Sequence, residues 1–289
     1  MFPLSVYATQ ALHGVVSGML LFLVASGLTL VFGMMGILNI AHAGFYMLGA
    51  YLAYSTVHAT GNFWLSLLVA PIVVGALGAL IERWLLRRTH AFGHAYELLL
   101  TFGLFFMIGE AVRWGWGSNP LQIPVPAGLG GSVPLLGSQY PFYRLFILGV
   151  SALICACMAV ALLRTRIGII IRSAVSDAEM VGALGINTPL LSLGVFTAGS
   201  ALAAVAGVIA APFLQADPSM GAVILTDLFV IIVIGGFGSL LGSLLASLMI
   251  GQLQSFGILW FPEFALVFQF LLMAVVLIVR PQGLFGEKG

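Results

Sequence analysis

Residues able to do chemistry are scarce in this chain and unevenly placed. Lys and Arg number 10 and Asp and Glu 9 in 289 residues, and none of them occurs before Glu82. Yet Arg164, Arg166, Arg172, Asp177 and Glu179 crowd into the single stretch RTRIGIIIRSAVSDAE. Catalysis would need paired acids, a nucleophile with its base, or a metal cage. The sequence has no HExxH, no CxxC and no Gly-rich loop ending in Lys, its one lysine being Lys288. No catalytic role, and no cofactor or metal held by this chain, is therefore expected. Cys155 and Cys157, two apart in an apolar run, point to different helix faces, which disfavours both a disulfide and a metal pair.

The polar candidates inside apolar runs begin with Asn39 and His42 in GILNIAHAGFYMLGAY. Three apart, they share a helix face. Either Asn39 caps a helix while His42 bonds a nearby carbonyl, or the pair lines a conduction path, because polar groups in a bilayer need a partner or water. Glu110 and Arg113 are spaced to pair. Glu97 is expected near the Arg83–Arg88 cluster, and Asp217, Asp227 and Glu263 on the opposite side, solvating loops or meeting a soluble partner.

The polar island of 164–189 reads as a loop carrying a short amphipathic helix over 176–184. Ser176 at its N-terminus and Glu179 three residues on form a capping-box pattern. Gly185 supplies the left-handed residue that ends it. Val181 and Leu184 would make a narrow apolar strip suited to a groove, or the segment could lie on lipid.

The surrounding elements follow from composition. The chain is 61% hydrophobic and 7% charged, with mean hydropathy +1.17, against about 25% charged for soluble domains. The net charge of +1 carries no nucleic-acid signal. Spans of about 20 apolar residues cross a bilayer, and the pattern predicts eight hydrophobic segments: 12–32, 36–57, 63–83, 96–114, 142–163, 190–212, 225–252 and 262–280. The expected fold is an all-α, polytopic membrane helical bundle forming one domain over 1–289, its first apolar run retained as a span.

Arg83, Arg87, Arg88, Arg164, Arg166, Arg172, Arg280 and Lys288 fall on one side, against Arg113 and Arg144 on the other. That bias makes the first side cytoplasmic. Parity then requires 225–252 to enter and leave by the same face, turning at Gly235, Gly236, Phe237 and Gly238. A re-entrant hairpin bordering the translocation path, with these glycines on it, is expected. The Pro- and Gly-rich linker 115–141 is too broken for a helix and would form an outer lid or docking surface. Gly199, Ala203 and Gly207, and Gly238, Gly242 and Ala246, recur every four residues as small ridges for close helix packing.

Four motifs, GLTLVFGMMGILNIAHAGFYMLGAY (27–51), RSAVSDAEMVGALGIN (172–187), IGGFGSLLGS (234–243) and RPQGLFG (280–286), resemble those of the membrane permeases of ABC importers for branched-chain amino acids. The closer likeness is to the smaller, H-type of their two paired permease subunits. The resemblance covers nearly the whole chain. It implies a multi-pass subunit of the bacterial-type inner membrane, working with a second permease, two cytoplasmic ABC ATPases that hold the ATP and Mg, and a soluble extracytoplasmic substrate-binding protein. It implies that Asp177, Glu179, Gly182, Gly185 and Asn187 contact the ATPase, and that Asn39 and His42 lie near the path. Ala43, Gly44 and Phe45 stand where an acidic residue is expected soon after the histidine. Urea, short amides and other small organic solutes therefore remain alternatives, as does an ATPase-independent secondary transporter.

Overall fold

The computed structural model describes residues 3–135 and 137–286, so Lys288 of the basic set lies outside the described residues. It is a helical bundle. The 32-residue α1 (Leu4–Met35) stops where Gly36 takes a left-handed φ of 67° and returns its N–H to the Phe32 carbonyl. After α2 (Ala41–Thr60), Asn62 caps α3 (Phe63–Ile81), its side-chain oxygen accepting from the N–H of Trp64 at 2.9 Å. A π-helical turn over Glu82–Leu86 carries α3 on to Thr89, and α4 (His94–Trp116) returns.

The linker forms no helix but a two-stranded antiparallel hairpin, β1 (Ser132–Leu135) with β2 (Ser138–Pro141). Leu121 pairs with Ala216 through two backbone hydrogen bonds of 2.8 and 2.9 Å, tying the linker to the loop after 214. Then come α5 (Phe142–Arg164), the amphipathic α6 (Arg166–Ser176) and the six-residue α7 (Ala178–Ala183). The chain ends with α8 (Thr188–Leu214), α9 (Met220–Gly235), α10 (Leu240–Trp260) and α11 (Ala265–Val279).

Among the described residues, seven helices are long and apolar enough to cross a membrane, and α9 is a shorter apolar one. The core is α1 packed on α8 and α10, with α8 also against α2 and α3. The small-residue ridges are the contacts. A Cβ on Gly207 would lie 2.0 Å from the Tyr46 carbonyl oxygen, and one on Gly242 1.9 Å from that of Gly235. Ser243 and Thr29 share a 2.7 Å hydroxyl hydrogen bond across α10 and α1. The outer faces of α4, α5 and α11 are apolar and exposed, the surface that lipid or further membrane subunits cover. Cys155 and Cys157 on α5 are free thiols.

The segment 225–252 corrects its expectation in part. It is a helical hairpin with both ends toward the same face, as parity requires. It is not shallow, however: α10 has the length of a full span, and the turn 236–239 touches Gly33 near the end of α1. The turn also packs on 280–286, where Leu284 and Phe285 donate backbone N–H groups to Ile234 and Gly235 at 2.8 and 3.1 Å. Residues 220–224, ahead of the predicted segment, form the first turns of α9. The break at Gly236, with φ 94°, falls there because the segment 280–286 fills the space a side chain would need.

Replacing Gly207 by Val should prevent close approach of α8 to α2 and lower thermal stability in detergent by about 1–3 kcal/mol or more. Gly149→Val, where an added Cβ meets nothing within 4 Å, should leave the melting profile unchanged. Equal melting of both variants would contradict the packing described.

Candidate functional site

Two regions hold the residues singled out from sequence. The first is the projecting turn between α6 and α8 at the basic end of the bundle. Asp177 caps α7, accepting the N–H of Met180 at 2.8 Å. The expected capping box is corrected: Ser176 closes α6, and Glu179 occupies the second position of α7 rather than the third. Asp177 wins because its extended backbone leaves its carboxylate over the free N–H groups, while Ser176 is still helical.

The other end of α7 is as expected. Gly185 has φ 86°. Ile186 N–H returns to the Val181 carbonyl at 3.3 Å and Gly185 N–H to Gly182 at 3.0 Å, the Schellman arrangement. The apolar strip is shifted by one residue. Val181 is buried and anchors the helix, so Met180 and Leu184, 58% and 75% exposed, form the outward pair, four apart. Glu179 and Gly182 are exposed beside them. Asn187 is exposed too, and its side-chain oxygen caps α8 by accepting the N–H of Leu190 at 3.0 Å.

The base under this knob is pinned to α3. Arg87 donates from Nη2 to the Pro189 carbonyl at 3.0 Å and to the carboxylate of Glu82 at 3.3 Å. Glu97 does not join the Arg83–Arg88 cluster as expected. Buried, it sits between His90 and His94, with His94 Nδ1 at 3.1 Å, while Glu82, unremarked in the sequence, takes the arginine. At the far end Glu110 and Arg113 pair as their spacing suggested.

The second region lies deep in the bundle. After Gly36 the chain turns back into the bundle, and α2 starts level with Val24 and Gly27 of α1, about 16 Å in from the end of α1 at 1.5 Å per residue. His42 donates from Nε2 to the Val24 carbonyl at 3.0 Å. Asn39 is not a cap: α2 has no side-chain cap hydrogen bond. Both side-chain atoms of Asn39 and Nδ1 of His42 are buried without a hydrogen-bond partner. Unpaired buried polar atoms are expensive, and polar groups at membrane depth need a partner or water.

Gly235, Gly236 and Gly238 are not brought to this point. They face the backbones of Gly242, the 282–286 segment and Gly33, so within this chain they serve the turn and its packing. Ser239 caps α10 there, accepting from Gly242 N–H at 3.1 Å.

Asp227 departs from the place expected for it. It is buried halfway along α9, not in a loop, and meets Gln254 of α10, with Gln269 of α11 beside it. Its flanking run AVILTDLFVIIVIG, apolar on both sides, was the signal available. Asp217 remains at the outer loop, accepting from Ser219 N–H at 2.7 Å, and Glu263 is exposed.

Removing the cap with Asp177→Ala should destabilise α7 by about 1 kcal/mol, speeding amide hydrogen exchange over 178–184 about fivefold, whereas Ser176→Ala should have no effect. The reverse pattern would restore the serine as the cap.

Comparison with known proteins gives a consistent result. Residues 10–277 match the family described as branched-chain amino acid transport system / permease component. The chain is 29% identical to the high-affinity branched-chain amino acid transport system permease protein BraD of Pseudomonas aeruginosa, covering 97% of this chain and 96% of that one. It is 28% identical to the corresponding LivH protein of Escherichia coli, with the same coverage. To the permease protein LivM of that organism it is 27% identical over 92% of this chain and 68% of the other. No solved structure matches.

Proposed function

The chain belongs to the permease family of branched-chain amino acid transport systems, and from that membership we propose that it is one of two membrane permeases of an ATP-driven importer for those amino acids. It is a multi-pass inner-membrane transport subunit that works with other subunits. In the proposal ATP is hydrolysed on separate cytoplasmic ATPases, a soluble protein delivers the solute to the outer face, and this chain holds neither nucleotide nor cofactor. Its likeness to both LivH and LivM suits a pair of related permeases packed side by side.

The observation that carries the ATP-driven part is the α7 knob. A helix of six residues is too short to be stable alone. Here it is capped at both ends, anchored by Val181 and braced by Arg87 beneath, yet it presents Met180, Leu184 and Glu179 outward. Such an anchored, protruding helix with an apolar pair fits a groove on a soluble partner. Closure of the ATPases would move the knob, α6 and α8 as one body, and access would switch between faces by rigid-body motion.

In the proposal the binding protein rests at the opposite end on the strands 132–135 and 138–141 and on the Leu121–Ala216 pairing. The ion-coupled alternative draws on Asp227 as an intramembrane carboxylate, but it leaves the knob without a task.

Reconstituted with its partners, the complex should take up labelled leucine in an ATP-dependent manner in preference to urea and short amides. Glu179→Arg or Leu184→Asp should reduce that uptake more than about tenfold, consistent with loss of an anchoring interface side chain, while expression and assembly of the permease pair persist. Uptake unchanged in both variants would remove the knob from the coupling path, and ion-driven leucine uptake without ATPases would favour the alternative.

A further inference from the structure

Three helices bring Asp227, Gln254 and Gln269 to one point inside the bundle. Asp227 is 9% exposed and Gln269 2%. Gln254 donates from Nε2 to the Asp227 carboxylate at 3.4 Å and to Gln269 Oε1 at 3.1 Å, and Gln269 stands within hydrogen-bonding reach of the same carboxylate. Tyr46, four residues beyond His42 on α2, lies within electrostatic range of it. The ion pairs among the described residues are Arg87–Glu82, His90–Glu97, His94–Glu97 and Arg113–Glu110; none involves Asp227.

A carboxylate at this depth, held by neutral amides alone, is poorly compensated. Amide dipoles orient a charge but do not neutralise it, and isolated ionised groups in an apolar interior are strongly disfavoured. Intramembrane acids are correspondingly rare and mark substrate or ion paths. Compensation comes from a proton or from a cation. Among the solutes open to this transporter, an amino acid carries one and urea and short amides do not. Its ammonium group offers three N–H donors, and the carboxylate of Asp227 and the side-chain oxygen of Gln269 are acceptors at this point. A metal ion suits the site less, since hard cations such as Ca²⁺ take six to eight oxygens and this cluster supplies one carboxylate.

We propose that Asp227, oriented by Gln254 and Gln269, binds the primary ammonium group of the solute inside the membrane and so selects zwitterions over neutral amides. This rests on the amino-acid importer reading above and adds to it the group that recognises the amine. Asn39 and His42 then lie on the basic-end side of Tyr46 along the same helix, so unpartnered polar atoms and the buried acid form one series along α2 and its neighbour α9.

The test uses the intact permease–ATPase complex in lipid nanodiscs and saturation-transfer NMR with three probes. Isopentylamine has the ammonium and apolar tail, 4-methylpentanoate the tail and carboxylate, and urea neither charge. Asp227→Asn should weaken the isopentylamine signal at least about tenfold, as expected on removing one member of a buried charge pair, while Asp227→Glu keeps most of it. The other two probes should not distinguish the variants. An isopentylamine signal equal in wild type and Asp227→Asn overturns the proposal.

If the Asn variant does not assemble, wild type decides alone. Leucine displacing isopentylamine while 4-methylpentanoate does not supports the site, and equal displacement by both overturns it. ATP-driven uptake of labelled leucine by wild-type proteoliposomes separates the two readings. Absent uptake refutes the solute assignment, and amine binding, which needs no transport, still decides Asp227.

Discussion

Where α8 crosses α2, Gly207 lies against the Tyr46 carbonyl so closely that no side chain fits between them. That backbone contact sets the height and rotation of α2 and so the place of His42 near its start. Lipid offers no hydrogen bonds, so a helix can begin at mid-depth only if neighbouring helices enclose its start. The small ridge on α8 and the glycines of α1 provide that enclosure: His42 reaches the Val24 carbonyl because Gly27 leaves room for its ring, and Gly27 in turn packs on Gly199 of α8. Without the close approach, Asn39 and His42 would face hydrocarbon.

The same packing logic operates at the basic end. The hairpin of α9 and α10 closes where Gly235 meets Gly242, and the segment 280–286 bonds back onto it, so the end of the chain locks the turn. Beside it, α7 is held by Val181, by the cap at Asp177 and, through Pro189, by Arg87. A force applied to Met180 or Leu184 is therefore transmitted to α8, and α8 is the helix that touches α1, α2 and α3 together. The mechanical route from knob to interior is one continuous helix, with no flexible loop in series beyond Gly185.

Composition and period made much of this legible. Apolar runs of span length, the arginine asymmetry and the small-residue repeats each report a constraint that acts locally or along one helix, which is why the span pattern, the ridges and the Glu110–Arg113 pair could be read from the chain. The parity argument likewise found the hairpin at 225–252, because it needs only the sidedness of loops. The left-handed Gly185 was readable because a helix stop is a property of a few neighbouring residues.

What needed the tertiary structure were the outcomes of competition among distant groups. Asp177 and Ser176 are both good caps, and the angle between α6 and α7 decided between them. Val181 and Met180 are both apolar, and only the packing of α7 against the bundle made one an anchor and the other part of the outward pair. Asp227 read as a loop residue because a carboxylate inside an apolar run looks like its end; Gln254 and Gln269, 27 and 42 positions away in sequence, are what allow it inside. Residue type and spacing thus determined that this chain spans a membrane, which end is basic and where the polar island lies. Long-range hydrogen bonding and backbone contact, which no local pattern encodes, decided which polar side chains lie at its centre.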